Sequence, residues 1–163
     1  MSTQPLSPTH STRLTYPGLM PIEVPVLREW LRLNEAKYDR FDFNVRVGQG
    51  NDPGPTFAPN IRQMALDITR KRIDAIGWQS NAPTLIEVKK RATLSAVGQI
   101  VAYRTLFKQD NPLSPDPKLL LVAAAFDADV MPVLYANNVD YALVAYDVRF
   151  LPHRPLPIRK PAR

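Results

Sequence analysis

The chain has 163 residues and a net charge of +6, from 21 Lys and Arg against 15 Asp and Glu. Its lack of cysteine and its two histidines exclude a disulfide scaffold, thiolate metal sites and a cysteine nucleophile, and argue against a histidine-based zinc site or a Ser-His triad. It has no apolar run of membrane-spanning length and no signal-peptide core, so we expect a soluble cytoplasmic protein, and the basic charge suggests a polyanionic partner.

The basic residues are concentrated in two segments. Residues 70–91 contain six basic and two acidic side chains, and residues 148–163 contain five basic and no acidic ones. Prolines cluster at both ends of the chain, with four of the 17 in residues 151–163. We therefore expect a flexible arm over residues 1–20, one folded domain over 21–150 and an extended basic tail over 151–163.

Hydrophobic periodicity predicts a helix followed by three strands in the first half of the domain. The predicted elements are a helix over 22–38, a strand over 41–47, a Gly- and Pro-rich loop over 48–60, and a hairpin of strands over 68–78 and 84–89 joined by a turn at 80–83. Pro25 fits only the first turn of a helix, so the first helix begins near Ile22.

Helices and strands alternate in the second half. The predicted elements are a helix over 93–109, a strand over 118–125, a helix over 127–137 and a strand over 139–147. The apolar positions of the longer helix are Leu94, Val97, Val101 and Leu106. Gly98 would allow that helix to pack closely, and Asp127 would cap the next one. This order of elements predicts an α/β fold with a central sheet covered by helices.

Three charged residues of the hairpin form a candidate site. Side chains alternate along a strand, so Glu87 and Lys89 share one face while Ile86 and Val88 face the other way. Pairing of the two strands would bring Asp74 near Glu87, and two adjacent carboxylates attract a proton or a cation. Hard oxygen ligands suit Mg²⁺ or Mn²⁺, which activate water and neutralise charge on a phosphate. Lys89 would orient or deprotonate that water or stabilise the phosphate, so the set suits phosphodiester hydrolysis.

A single E-x-K triplet is weak evidence, because Glu and Lys are common residues. The alternative is an ion pair between Glu87 and Lys89 on a solvated strand face. The apolar strand around the triplet, the preceding hairpin strand with Asp74 and the helix that follows favour a site.

The segments around these residues form a set of three motifs. They are an R-x-D strand, an E-x-K strand and a G-Q-x-x-x-Y helix, namely RIDAIGW at 72–78, LIEVKKRA at 85–92 and VGQIVAYR at 97–104. The set resembles the PD-(D/E)XK nuclease superfamily, most closely its mismatch-type endonucleases and small phage-encoded nucleases. The resemblance covers residues 68–107 and extends weakly over 22–125. One departure is Ile73, which stands where the superfamily motif has a proline.

The resemblance implies a restriction-endonuclease-like fold with an αβββαβ core and a mixed central sheet flanked by helices. It implies hydrolysis of DNA phosphodiester bonds by metal-activated water, with Mg²⁺ or Mn²⁺ held by Asp74 and Glu87 and with Lys89 as the catalytic lysine. It also places a supporting glutamine, Gln99, on the helix that follows. We expect a DNA nuclease of a bacterial or phage-infected cell, in the first place an endonuclease, with an exonuclease as the alternative. The resemblance also suggests a homodimer or higher homo-oligomer, because many members pair to cut two strands.

The family often adds a glutamate from the first helix. Of Glu23, Glu29 and Glu35, we favour Glu23, because it lies on the same predicted helix face as Leu27 and Trp30. Glu29 points to the opposite face and Glu35 to a flank. The alternative is that Glu23 only interacts favourably with the dipole at the start of the helix.

Four further residues are candidate DNA contacts. Arg72 precedes the hairpin aspartate by two residues and shares its strand face. Lys90 and Arg91 flank the site and would hold phosphates rather than read bases. Tyr103 lies one helical turn beyond the supporting glutamine. For the basic residues the alternative is an ordinary place on the surface.

Two other functions stay open at this point. The chain could be a non-catalytic nucleic-acid-binding or structural component of a phage or DNA-processing complex on the same fold, or an interaction protein that acts through its proline-rich ends. The complete set of Asp74, Glu87 and Lys89 favours an enzyme, because a decayed copy would have lost a member.

Overall fold

A five-stranded sheet with the strand order β1-β2-β3-β4-β5 organises the chain in the computed structural model, which describes residues 10–145. The strands are β1 Arg40–Val47, β2 Lys71–Gln79, β3 Ala82–Lys89, β4 Lys118–Ala123 and β5 Asp140–Leu143. The first three strands pair antiparallel, and β3, β4 and β5 pair parallel. The sheet is therefore mixed, and each parallel connection is made through a helix, as chain geometry requires.

Helices cover both faces of this sheet. The described helices are α1 Val24–Asn34, α2 Pro59–Thr69, α3 Leu94–Asp110 and α4 Val130–Ala136, with short 3-10 helices at His10–Thr12 and Glu35–Lys37, and those that cover the sheet are α1, α3 and α4. Within residues 10–145, no helix is both long and apolar enough to cross a bilayer. The mixed sheet with flanking helices confirms the predicted α/β class and is consistent with a restriction-endonuclease-like fold.

Helix α1 packs on one face of the sheet and helices α3 and α4 pack on the other. Leu27 and Leu31 of α1 are fully buried in one apolar cluster with Ile86 and Val88 of β3. The buried residues of α3 follow the helical spacing of three and four, and they are Ala96, Val97, Ile100, Tyr103 and Phe107. The two apolar faces of the sheet thus fix where β2 and β3 lie between the two helical layers.

The contact face of α3 differs from the predicted one. Leu94 is exposed, and Val101 and Leu106 pack at the edge of the core and are only partly buried, so Val97 alone of the four predicted positions is fully buried. Gly98 lies on the exposed side, and no atom comes within 4 Å of the place where a Cβ would stand. The expectation that Gly98 serves close packing is therefore wrong. Its side of the helix faces away from the sheet, because residues on the other side fill the core.

Helix α2 is missing from the sequence prediction, which has a loop to residue 60 and starts a strand at Ile68. The helix begins at Pro59, where the missing N–H costs no hydrogen bond, and β2 begins only at Lys71. Ile61, Met64, Ala65 and Ile68 follow the helical spacing of three and four, but none of the helix's residues is fully buried. The predicted turn at 80–83 is also shorter, since Ser80 and Asn81 alone have positive φ, of 46° and 70°.

Three predicted boundaries near the chain ends also change. The first helix ends at Asn34, whose side chain donates a hydrogen bond to the Trp30 carbonyl, and not at residue 38. Asp127 does not cap α4: the helix begins at Val130, and the Asp127 carboxylate accepts a hydrogen bond from Arg91 instead. The last described strand, β5, spans the four residues Asp140–Leu143, whereas the sequence predicts a strand over 139–147.

The described part of the predicted flexible arm packs against the domain. Tyr16 is buried in the α1 cluster, and its hydroxyl donates to the His10 carbonyl at 2.5 Å. Ser11 donates from its backbone N–H and its hydroxyl to the carboxylate of Glu35, at 3.1 and 2.9 Å. Residues 10–20 therefore belong to the fold, because they cover apolar surface next to α1. The predictions for residues 1–9 and for the tail at 151–163 lie outside the described residues.

Gly77 of β2 offers a test of this packing. A Cβ at Gly77 would stand 2.6 Å from Cδ1 of the Tyr38 ring, so Gly77→Ala is expected to lower the free energy of unfolding by about 1–3 kcal/mol. The matched control is Gly98→Ala, which should stabilise α3 by about 0.5–1 kcal/mol because the helix site is open. Urea unfolding of both variants measures the difference, and equal effects would contradict the packing of Tyr38 on β2.

Candidate functional site

The β1–β2 ladder is interrupted at one position, opposite the candidate aspartate. The pairs on either side of the break are Phe43–Ala75 and Val45–Ile73. Between them, Asn44 has a φ of 55° and Asp74 has no ladder partner. Ala75 packs in the cluster on the α1 side, whereas Ile73 packs in the cluster on the α3 side. In an unbroken strand, Ile73 and Ala75 would face the same side of the sheet. The alternation of side chains along β2 is therefore interrupted at Asp74.

The Asp74 carboxylate takes the place of a backbone partner between β2 and β3. The β2–β3 ladder ends at the pair Ala75–Ile86. Beyond that pair, the Val88 N–H donates to Asp74 Oδ2 at 2.8 Å. The two strands separate here, and this hydrogen bond holds the carboxylate in the gap, beside the end of β3 that carries Glu87 and Lys89.

Glu87, Lys89 and Glu23 form the rest of the cluster. The Lys89 amine lies 2.5 Å from Glu87 Oε1 and 3.8 Å from Glu23 Oε1. Glu87 is 2% exposed and Glu23 is 8% exposed, so both acids are removed from water. The Met20 N–H donates to the second Glu23 oxygen at 3.2 Å, which holds that side chain at the start of α1. Three acids thus surround one lysine at the end of β3.

The pKa values of these acids reflect this crowding. Burial raises the pKa of Asp74 to about 6, while the hydrogen bond from the Val88 N–H and the Lys89 charge act against the rise. Burial, with the neighbouring Asp74 carboxylate, raises the pKa of Glu87 to about 8. Burial lowers the pKa of Lys89, but the surrounding carboxylates outweigh it and the net pKa lies above its ordinary value. The site therefore holds more negative charge than one lysine neutralises, which favours an added proton or cation.

The donor set fits a hard divalent cation bound by two carboxylates. Glu87 Oε2 is buried and has no hydrogen-bond partner among the described residues, so it is free to accept a proton or a metal ion. Within residues 10–145, no three His, Asp or Glu side chains are arranged to hold a metal ion between them. Mg²⁺ does not need such a set, because it commonly takes one or two carboxylates together with water and substrate phosphate. Asp74 and Glu87 would be those two ligands.

The other predicted site residues lie around this cluster with varying access. Gln99 is exposed on α3 and makes no hydrogen bond to the cluster. Tyr103 is only 6% exposed, and burial, together with the charges of Glu87 and Asp74, raises the pKa of its hydroxyl. The Tyr103 ring is packed between α3 and the sheet, and its contact with DNA stays a prediction.

The predicted basic contacts are all accessible. Arg72 and Lys90 are exposed and make no ion pair with any described residue. Arg91 pairs with Asp127 at 2.9 Å, and both partners are solvent-accessible. An exposed pair of this kind contributes little to stability, so Arg91 can exchange Asp127 for another anion.

Of the three glutamates considered for the site, the structure brings only Glu23 near Lys89. Glu29 forms a bidentate pair with Arg32 on the outside of α1, and Glu35 accepts hydrogen bonds from Ser11. The helical face predicted from the sequence therefore selects the glutamate that lies beside the cluster. Its role there stays a prediction.

Glu23→Gln tests that role. The variant keeps the hydrogen bond from the Met20 N–H but removes a charge next to Lys89, and we expect metal affinity or cleavage to fall by about 10- to 100-fold. Glu29→Gln, on the outer face of the same helix, is the control and should leave both unchanged. Titration calorimetry with Mn²⁺ measures the affinity, and equal behaviour of the two variants would remove Glu23 from the site.

Asn44 is the residue of this region that sequence reasoning missed. It sits inside an alternating strand pattern, FDFNVRV, which by itself predicts an unbroken strand. The available signal is its residue type, since Asn adopts positive φ more readily than other non-glycine residues. A Cβ on Gly18 would lie 2.3 Å from Asn44 Oδ1, so the segment before α1 packs closely on the break.

Comparisons with known proteins give one distant structural likeness. No protein-family model and no curated protein sequence matches the chain. A chain in the solved structure of an EndoMS–dsDNA complex is similar to this one, with a TM-score of 0.47 and 14% identity over 79% of this chain and 47% of that chain. This chain thus spans about half the length of that structure.

Proposed function

We propose that this chain is a divalent-metal-dependent DNA endonuclease of the PD-(D/E)XK type. The observation that carries the proposal is the cluster of Asp74, Glu87 and Lys89, in which the lysine amine lies 2.5 Å from one buried carboxylate and the other is held on the Val88 N–H. Two crowded carboxylates that favour a cation, beside an exposed basic sheet end, match the needs of phosphodiester hydrolysis.

Asp74 and Glu87 would hold Mg²⁺ or Mn²⁺, which supplies a water of lowered pKa and neutralises charge on the phosphate. The chain's own residues then have separate tasks. The Val88 N–H fixes the direction of the Asp74 carboxylate. Lys89, already paired with Glu87, can orient the attacking water and stabilise the negative charge that develops on the phosphate oxygens. Glu23 lies near the lysine amine and helps to hold it in place.

Electrostatics also support a nucleic-acid substrate. The acids of the site would repel a phosphate backbone, but Asp74 and Glu87 lie within residues 70–91, where basic residues outnumber acidic ones by six to two. Lys90 and Arg91 follow β3 directly and are exposed. Contacts of this type hold the backbone and carry no base specificity.

A cleavage panel tests the proposal directly. The purified chain is incubated with single-stranded, duplex, branched and mismatched DNA, with Mg²⁺, with Mn²⁺ and with EDTA. We expect metal-dependent products from at least one substrate and none in EDTA. Failure to cleave any of them would refute the enzyme proposal and favour the non-catalytic, nucleic-acid-binding alternative on the same fold.

A further inference from the structure

Two arginines stand directly opposite each other at the end of the sheet that carries the candidate site. Arg46 of β1 pairs in register with Arg72 of β2, one position from the end of the ladder. Both side chains are exposed, and neither has a hydrogen bond or an ion pair to any described residue. Directly opposed residues of an antiparallel pair have Cβ atoms only about 4.5–5.5 Å apart, so two like charges here destabilise the sheet.

The surroundings hold this pair in place and do not neutralise it. Arg70 donates hydrogen bonds to the carbonyl oxygens of Arg46 and Gly48, which fixes the backbone at the end of β1. The Arg70 charge is itself compensated by Asp110 at 3.0 Å. The neighbouring Lys71 is exposed and adds a further positive charge. The sheet therefore presents a cationic pair at its surface with no direct ion-pair partner among the described residues.

The position of the pair relates it to the cluster. Arg72 precedes Asp74 by two residues on β2, a distance of about 7 Å along a strand. Because β2 runs antiparallel to β1 and β3, the end of β1, the start of β2 and the end of β3 lie together. The basic residues of this sheet end are Arg46, Lys71, Arg72, Lys89, Lys90 and Arg91.

We propose that Arg46 and Arg72 form a phosphate-binding pair that holds the backbone of a DNA strand beside Asp74. Guanidinium groups bind phosphate oxygens through directed, charge-assisted hydrogen bonds, and an anion between the two arginines removes their repulsion. The proposal rests on the proposed function for its placement, since the phosphates held there belong to the strand presented to Asp74. The pair goes beyond the proposed function because it assigns phosphate binding to Arg46, which lies outside the basic segment 70–91 of the sequence.

The test is the salt dependence of DNA binding. Binding of a fluorescein-labelled DNA duplex is measured by anisotropy in EDTA over a range of salt concentrations, for the wild-type chain, Arg46→Gln, Arg72→Gln and the double variant. Each lost phosphate contact should lower the slope of log K against log salt by about 1, so the double variant should lose about 2. Lys118→Gln is the control, because Lys118 is exposed at the opposite end of the sheet and should leave the slope unchanged.

Thermal unfolding without DNA separates this role from a structural one. The double variant should have an unchanged or higher Tm, because it removes a like-charge pair, while its DNA binding weakens. An unchanged salt slope in the double variant, an equal loss of slope in Lys118→Gln, or no binding by the wild-type chain would overturn the proposal. The binding measurements contain no metal and are therefore independent of cleavage. Absence of cleavage in the panel would refute only the nuclease assignment. An unchanged salt slope in the double variant would refute only the arginine pair.

Discussion

Asp74→Asn is expected to reduce metal-dependent DNA cleavage by about 10²–10³-fold or more, while the domain stays folded. Asparagine keeps the size of the side chain and an oxygen that can accept the hydrogen bond from the Val88 N–H. It removes the negative charge that a divalent ion needs, and it also removes the repulsion with Glu87. Loss of activity without loss of stability is therefore the expected signature. The measurement is the cleavage rate on the best substrate of the panel, with Mg²⁺ and with Mn²⁺.

The matched control for this change is Asp129→Asn. Asp129 is an exposed aspartate before α4 and makes no side-chain capping hydrogen bond, so its amide variant should cleave at the wild-type rate. Thermal unfolding of both variants shows whether the fold is intact. Retained cleavage in Asp74→Asn would place the chemistry elsewhere, and an equal loss in both variants would point to a general effect of charge.

Without metal, the wild-type chain should lose stability as the pH rises from about 5 to about 9. The pKa of Asp74 is raised to about 6 and that of Glu87 to about 8, whereas both are near 4 in an unfolded chain. A raised pKa means that the folded state binds the proton more tightly. The stability from these two groups is thus complete below about pH 4 and is lost as the pH passes about 6 and then about 8.

Added Mg²⁺ or Mn²⁺ should reverse this loss, and more strongly at high pH because protons compete for the same oxygens. A metal concentration of about 100 times Kd stabilises the folded state by about 2.7 kcal/mol, or roughly 5–10 °C in Tm for a chain of this size. Differential scanning fluorimetry at about pH 6 and about pH 8.5 measures the shift in Tm.

Two glutamine variants serve as controls for the metal and pH effect. Glu87→Gln removes the carboxylate with the unpartnered oxygen, so it should flatten the pH dependence and diminish the metal shift. Glu29→Gln, whose carboxylate pairs with Arg32 at the surface, should change neither. A metal-induced shift of equal size at both pH values, or a full shift in Glu87→Gln, would show that the ion binds elsewhere.

The hairpin with its charged residues could be predicted because its geometry is local. Alternation along β3 puts Glu87 and Lys89 on one face, and the short turn at Ser80 and Asn81 sets the register that brings Asp74 alongside. Helix α2 carries the helical spacing at Ile61, Met64, Ala65 and Ile68, but assigning Ile68 to the following strand conceals it. Ile61, Met64 and Ile68 are also exposed, so the pattern does not correspond to a buried face.

Hydrophobic periodicity alone does not predict which residues of α3 near the site are buried. Gln99 and Tyr103 are one turn apart on α3, yet Gln99 is exposed and Tyr103 is buried against the sheet. The choice follows from how α3 is rotated on the sheet, and that rotation is set by Ile100 and Phe107 in the core. A four-residue spacing gives only an approximate common face, so it cannot separate a core residue from one at its edge.

The sequence by itself determined the hairpin, the pairing of Asp74 with the E-x-K strand and the excess of basic residues around them, because these depend on neighbours along the chain. Only the tertiary structure decided that Glu23 meets Lys89, that the ladder breaks at Asn44 opposite Asp74, and that Arg46 stands beside Arg72. Those contacts join residues at least 26 positions apart in the numbering. Their geometry follows from the register of β1 on β2 and the packing of α1, which are set by burial of the whole core.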